Sequence, residues 1–289
     1  MNPDRFRVRP GDHHALRRHA PGATAPFASK DAALTRLQKG LARLGTLQEK
    51  LYAQDRYALL VIFQGMDAAG KDHAVRHVMS GVSPQATDVH AFKEPSAEEL
   101  DHDYLWRAVK VLPERGRIGI FNRSYYEDVL VVRIHPALLD AQKLPPERVT
   151  GKIWQERFED INAFERHLWR NGTIVRKFYL HVSKQEQARR LLERLDDPLK
   201  NWKFSTADLV ERAQWKAYHD AYADALAATS HPHAPWYVVP ADHKWFVQAL
   251  VTDILVNTLE QLDLSLPKLT AARRRDLAKA RRQLTRQTT

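Results

Sequence analysis

The chain has no cysteine among its 289 residues, and no run of eighteen apolar residues interrupts its polar pattern. The first absence excludes disulfides, thiolate metal sites and a cysteine nucleophile. The second removes the sequence signal of a membrane-spanning helix, so no membrane partner is expected. The opening Met1-Asn2-Pro3-Asp4-Arg5 lacks the apolar stretch of a secretory signal, which leads us to expect a cytoplasmic protein. A charge excess is also missing from most of the chain. The net charge of +10 comes from the two ends: +7 in residues 266–289, +4 in residues 1–30, and about −1 between them. Nucleic acid is therefore not an expected partner of the main domain. The basic ends read either as solvated, partly disordered segments or as holders of a polyanion.

What is present organises into one domain. Residues 1–30, rich in proline, read as an irregular N-terminal arm, residues 31–265 as the folded unit, and 266–289 as a basic C-terminal tail. Leu34, Leu37, Leu41, Leu44, Leu47 and Leu51 recur at spacings of three and four, one face of an amphipathic helix that packs on a core. Strand-like runs follow at 58–64, 88–92, 117–122, 173–182 and 236–240. Helical patterns lie at about 72–80, 96–110, 124–132, 146–170, 184–195, 206–227 and 243–261. This alternation predicts an α/β fold with a parallel five-stranded sheet covered on both faces. Ligands of such sheets bind at the carboxyl ends of the strands.

At the end of the first strand stands Gly65-Met66-Asp67-Ala68-Ala69-Gly70-Lys71-Asp72. Glycines five apart followed by lysine and a helix form a phosphate-binding loop. Backbone N–H groups from Gly65 through Gly70, including Ala68 and Ala69, close on the anion, and Lys71 neutralises it. Asp67 lies inside that loop, and Asp72 stands where a Ser or Thr usually holds magnesium. Carboxylates beside phosphates make sense when a divalent ion lies between them.

A third strand ends in Asn122-Arg123-Ser124-Tyr125-Tyr126-Glu127-Asp128 at the same sheet edge. Asn122, Glu127 and Asp128 are candidates to coordinate or orient magnesium, an ion that prefers oxygen ligands. Arg123 and Arg133 are candidates to clamp phosphoryl oxygens through paired N–H donors. A helix cap carrying surface charges is the bland alternative. Downstream, a basic helix breaks at Pro198. As a lid over about 190–215 it would bring Arg194, Lys200 and Lys203 over phosphates and exclude water; as ordinary surface it would carry solvated charges and a packed Trp202. Ser96 and Glu99 form a capping box, so part of the segment 92–107 is a helix start.

Together, the segments 65–72, 92–107, 121–132, 195–205 and 235–242 resemble the polyphosphate kinase 2 family, with likeness running from about 31 to 262. The resemblance implies a three-layer P-loop kinase fold with a helical lid. It also implies magnesium-dependent movement of phosphoryl groups between inorganic polyphosphate and AMP, ADP or ATP, with Mn2+ as a substitute ion, guanine nucleotides as further acceptors, and a homo-oligomer. By position it makes Asp67 and Lys71 metal and phosphate residues of the first loop, and places Arg123 in the second motif and Arg194 and Lys203 in the lid. Members restricted to diphosphates tend to show Asp-Arg-Ser-Trp-Tyr-Asn-Arg at the second motif. This chain is similar instead to the branch accepting AMP and ADP, with Glu127 tied to the difference. It departs from the common pattern at His73 and Tyr125. The rival readings are an ATP-dependent nucleoside monophosphate kinase and a non-catalytic polyanion-binding protein.

Overall fold

The computed structural model describes residues 2–287. Strands β1 (Ala58–Gln64), β2 (Thr87–Ala91), β3 (Ile118–Asn122), β4 (Thr173–His181) and β5 (Trp236–Pro240) form one parallel sheet in the order β2-β3-β1-β4-β5. Every residue of β1 is buried, as an apolar run between two helical layers must be. Helices of nine or more residues are numbered α1 (Lys30–Gln54), α2 (Lys71–Met79), α3 (Ile153–Arg170), α4 (Lys184–Asp196), α5 (Trp215–Thr229), α6 (Lys244–Glu260) and α7 (Ala271–Gln287). The leucine stripe of α1 packs against α6, which also meets α2 and β5, whereas α3 lies on β4 beside α5. Among the described residues no helix is long and apolar enough to cross a membrane.

Strand order is what positions the site. From β1 the chain crosses to β2, returns to β3 beside β1, and then passes to β4 on the other side. Connections therefore diverge between β1 and β3, leaving a crevice beyond their carboxyl ends. Phe63 is paired with Asn122 in the register, so the loops after both strands open side by side.

Several helical runs are shorter than their patterns suggest. The stretch 96–110 divides into Ala97–Leu100 and Trp106–Val109, because the Asp103 side chain accepts the Leu105 N–H and makes a turn. The expected helix over 124–132 begins as a tight 3-10 turn, Tyr125–Val129, and α3 starts only at Ile153, after Pro145, Pro146 and Gly151. The N-terminal arm also differs from a solvated tail. In the N-terminal arm Phe6, Val8, Ala15 and Leu16 are buried; the Val8 N–H donates to the Trp236 carbonyl at 2.9 Å, and Arg7 bridges Tyr237. The arm thus covers the edge of β5, which would otherwise present unpaired backbone. The C-terminal segment forms α7, exposed along its length.

Behind the β3 loop lies a buried polar network. Glu165 on α3 and Lys177 on β4 form an ion pair at 2.5 Å, both with 0% exposure. The hydroxyls of Tyr125 and Tyr126 donate to Glu165 at 2.9 and 3.0 Å, and Lys177 also donates to the Thr229 carbonyl. Two consecutive tyrosines thereby anchor the turn that carries Arg123 and Glu127. Replacing Tyr125 with phenylalanine removes one donor to a buried carboxylate and is expected to cost about 2 kcal/mol in urea unfolding. Turnover at saturating substrate should hold, since this hydroxyl faces away from the crevice.

Candidate active site

The first loop is built from conformations that restrict its sequence. Gly65 has φ of 154°, and a Cβ there would lie 2.9 Å from the Leu180 carbonyl oxygen; Gly70 caps α2 at φ 105°. Ala68 adopts φ 58°, a left-handed conformation uncommon for a residue with a side chain. What holds it is α4. Gln187 donates to the Asp67 carbonyl at 2.9 Å, and Arg190 donates to the carbonyls of Ala68 and Ala69 at 3.0 and 2.9 Å. Arg190 also reaches the carbonyls of Ala241 and Asp242, joining the loops after β1 and β5. Because C=O and N–H oppose one another across a trans peptide, these anchors turn the Ala68 and Gly70 N–H groups the other way.

Lys71 is the first residue of α2, and its buried ammonium donates to the carbonyls of Gly65 at 2.6 Å and Met66 at 3.2 Å. Burial, with Arg123 adding to it, lowers its pKa to about 8, against a partial opposing pull from Asp67, Glu127 and Asp72. Arg123 follows β3 at φ 64° and spans two carboxylates, Asp67 at 2.7 Å and Glu127 at 3.2 Å. Asn122 donates to Asp72 at 2.6 Å. The two motifs predicted from the sequence are therefore wired together across the crevice.

The crevice opens into a cavity of about 600 Å3 lined by nine Lys and Arg side chains and four carboxylates. That excess of cations favours a polyanionic ligand. The predicted residues Asp67, Ala68, Gly70, Lys71, Asp72, Asn122, Arg123, Arg194, Lys200 and Lys203 all line it. Arg194 is held by Asp208 and the Lys203 carbonyl, and Lys200 by Glu193 and Asp197, so the segment closing this side is braced by its own carboxylates. His73 also lines the cavity and contacts Gln248 at 2.7 Å, with its pKa lowered by burial and then by Lys244.

Five predicted residues do not line this cavity: Gly65; Ala69, whose N–H donates to the Met66 carbonyl at 3.1 Å; Glu127, which is joined to the cavity through Arg123; and Asp128 and Arg133. Asp128 adjoins Glu127 but faces a second cavity of about 230 Å3, where it accepts from Gln142 at 2.6 Å and lies 3.9 Å from Arg107. Successive residues of a 3-10 turn point about 120° apart, so Glu127 and Asp128 cannot face one ion together. Burial raises the Asp128 pKa to about 6, against Arg107 and Arg157. Arg133 is paired with Asp224 on α5 at 2.9 Å and does not line the phosphate cavity.

Sequence reasoning missed Arg76, Arg190 and Lys244 as cavity residues. Gln187, Arg190 and Arg194 recur at spacings of three and four on α4, a signal for one inward face; Arg76 and Lys244 had none. His73 and His77, one turn apart on α2, are spaced like metal ligands. Among the described residues, however, no group of three or more His, Asp or Glu converges into a metal cage. The donor set still suits magnesium, which needs one or two protein carboxylates and takes its other oxygens from water and phosphate. Asp67, which lines the cavity, and Glu127, joined to it through Arg123 but outside the lining, are the carboxylates that could supply it.

The sequence profile of polyphosphate kinase 2 matches residues 27–267. The chain is 49% identical over 280 residues to the ADP-polyphosphate phosphotransferase of Rhodopseudomonas palustris, covering 96% of this chain and 97% of that protein. It is 45% identical to the AMP/ADP-polyphosphate phosphotransferase of Meiothermus ruber, covering 91% and 95%. The crystal structure of polyphosphate kinase 2 from Arthrobacter aurescens superposes with a TM-score of 0.87 at 40% identity, covering 97% of each chain.

Proposed function

The chain belongs to the polyphosphate kinase 2 family, and we propose that it moves the terminal phosphoryl group of inorganic polyphosphate reversibly onto AMP and ADP. The observation that carries this reading is the Asp67–Arg123–Glu127 bridge, two of whose members line a cationic crevice at the β1/β3 switch point. Two polyanions must meet there, and charge neutralisation is the main obstacle to their meeting. The acceptor phosphate is already anionic near neutral pH, so no strong general base is required. Lys71 and Arg123 stabilise the transferring group, the loop N–H groups orient it, and Arg194, Lys200 and Lys203 hold the donor chain while excluding water. Magnesium held by Asp67 and Glu127 would neutralise oxygens of both substrates.

Incubation with Mg2+ and polyphosphate should yield ATP from ADP and ADP from AMP. Phosphorylation of AMP by ATP but never by polyphosphate would identify a nucleoside monophosphate kinase instead. Tight polyphosphate binding without turnover would identify a non-catalytic polyanion-binding protein.

The Lys71 ammonium must be charged to act. Its free-enzyme pKa near 8 means that kcat/KM falls as pH rises through about 8. Bound phosphate favours the cation, so the corresponding fall in kcat should occur at higher pH. Coincident profiles for kcat and kcat/KM would remove Lys71 as the titrating group.

A further inference from the structure

Outside the crevice, the strongest unexplained feature is α7. All its residues are exposed, and Arg273, Arg274, Arg275, Lys279, Arg281 and Arg282 form no ion pair with another described residue. The basic arm at the other end differs, since Arg7 and Arg18 approach Asp4 and Asp12. Three of its charges are also ordered: Arg275, Lys279 and Arg282 follow spacings of four and three, which places them in one row along the helix. At 1.5 Å per residue the row runs about 10 Å. Leu277 and Leu284 lie on the opposite side. Like charges at these spacings repel, which weakens a helix that has no packed face to hold it. A linear polyanion laid along the row relieves the repulsion, and its charge spacing suits a straight cationic track better than a folded acidic surface does.

We propose that α7 is a second, non-catalytic binding site for the polyphosphate chain, holding distal units of the donor while its terminal unit occupies the crevice. This rests on polyphosphate being the donor. A chain long enough to reach from the crevice to α7 engages both sites at once, so the second contact raises the effective concentration of the first; a chain too short to reach gains nothing.

The test uses the full-length protein carrying Arg275→Ala, Lys279→Ala and Arg282→Ala together, substitutions that favour the helix while removing the row. KM is measured with ADP for long-chain and for short polyphosphate, at low and moderate salt, and mass in solution by light scattering. KM for the long chain should rise about tenfold and lose much of its salt dependence, whereas kcat, KM for the short chain and mass stay unchanged. An unchanged long-chain KM overturns the proposal. So does an equal rise for both chains, which would assign the row to the catalytic crevice, or a fall in mass, which would assign α7 to a second copy of the chain. If the wild type turned over neither chain length, the donor assignment itself would fail; wild-type turnover of both with an unaffected variant defeats only the second site.

Discussion

Replacing Lys71 with alanine is expected to lower kcat for ATP formation by about a thousandfold, or roughly 4 kcal/mol of transition-state stabilisation. Its ammonium is buried at the start of α2 and bonded to carbonyls of the loop that it serves. Removing a charge from that position costs most as the terminal phosphoryl group departs, so the loss falls on kcat more than on KM. The fold should survive. Alanine favours the first turn of a helix, and Arg190 and Gln187 still brace the loop. A melting temperature within about 3 °C of the wild type would match that view. Lys71→Arg should not restore activity, because a planar guanidinium does not fit a pocket built around a compact ammonium. Unchanged turnover in the alanine variant would remove the loop from the mechanism.

Asp67→Asn keeps the side-chain shape and removes one charge, with an expected loss of about a hundredfold in activity at low magnesium. Asp67 accepts from Arg123 at 2.7 Å, so the substitution also loosens the link between the two loops. The two effects separate in a magnesium titration. A metal ligand shifts half-saturation to about tenfold higher Mg2+ or beyond, with part of the activity recovered at high concentration. If half-saturation stayed fixed while kcat fell, Asp67 would serve only to hold Arg123.

The sheet was legible because most of its strands are apolar runs with sharp boundaries, the partly exposed edge strand β2 being displaced by one residue from its expected span. Both β1, ended by Gly65, and β5, framed by Pro235 and Pro240, were read to the residue. Helices were less legible wherever one side chain turns the backbone, as Asp103 does within 96–110. Gly65, Lys71 and Arg123 could be placed because each sits at the end of a strand in a parallel sheet. Arg190 could not be assigned its anchoring role, since its partners lie more than a hundred residues away in the sequence on one side and about fifty on the other. Placing Asp128 beside Glu127 overlooked the rotation between neighbours on a helical turn. The C-terminal helix was hidden for another reason: it has no apolar face broad enough to signal packing.

Metal-bearing carboxylates at the β1/β3 rim are the claim on which the chemistry rests. A crystal grown with ADP, short polyphosphate and Mn2+ in place of Mg2+ tests it, since the anomalous signal locates the ion without assumption. The expected peak lies about 2.1 Å from carboxylate oxygens of Asp67 and Glu127, between the two phosphate chains. A peak among Asp128 and its neighbours, or nucleotide bound away from the crevice, would contradict the account.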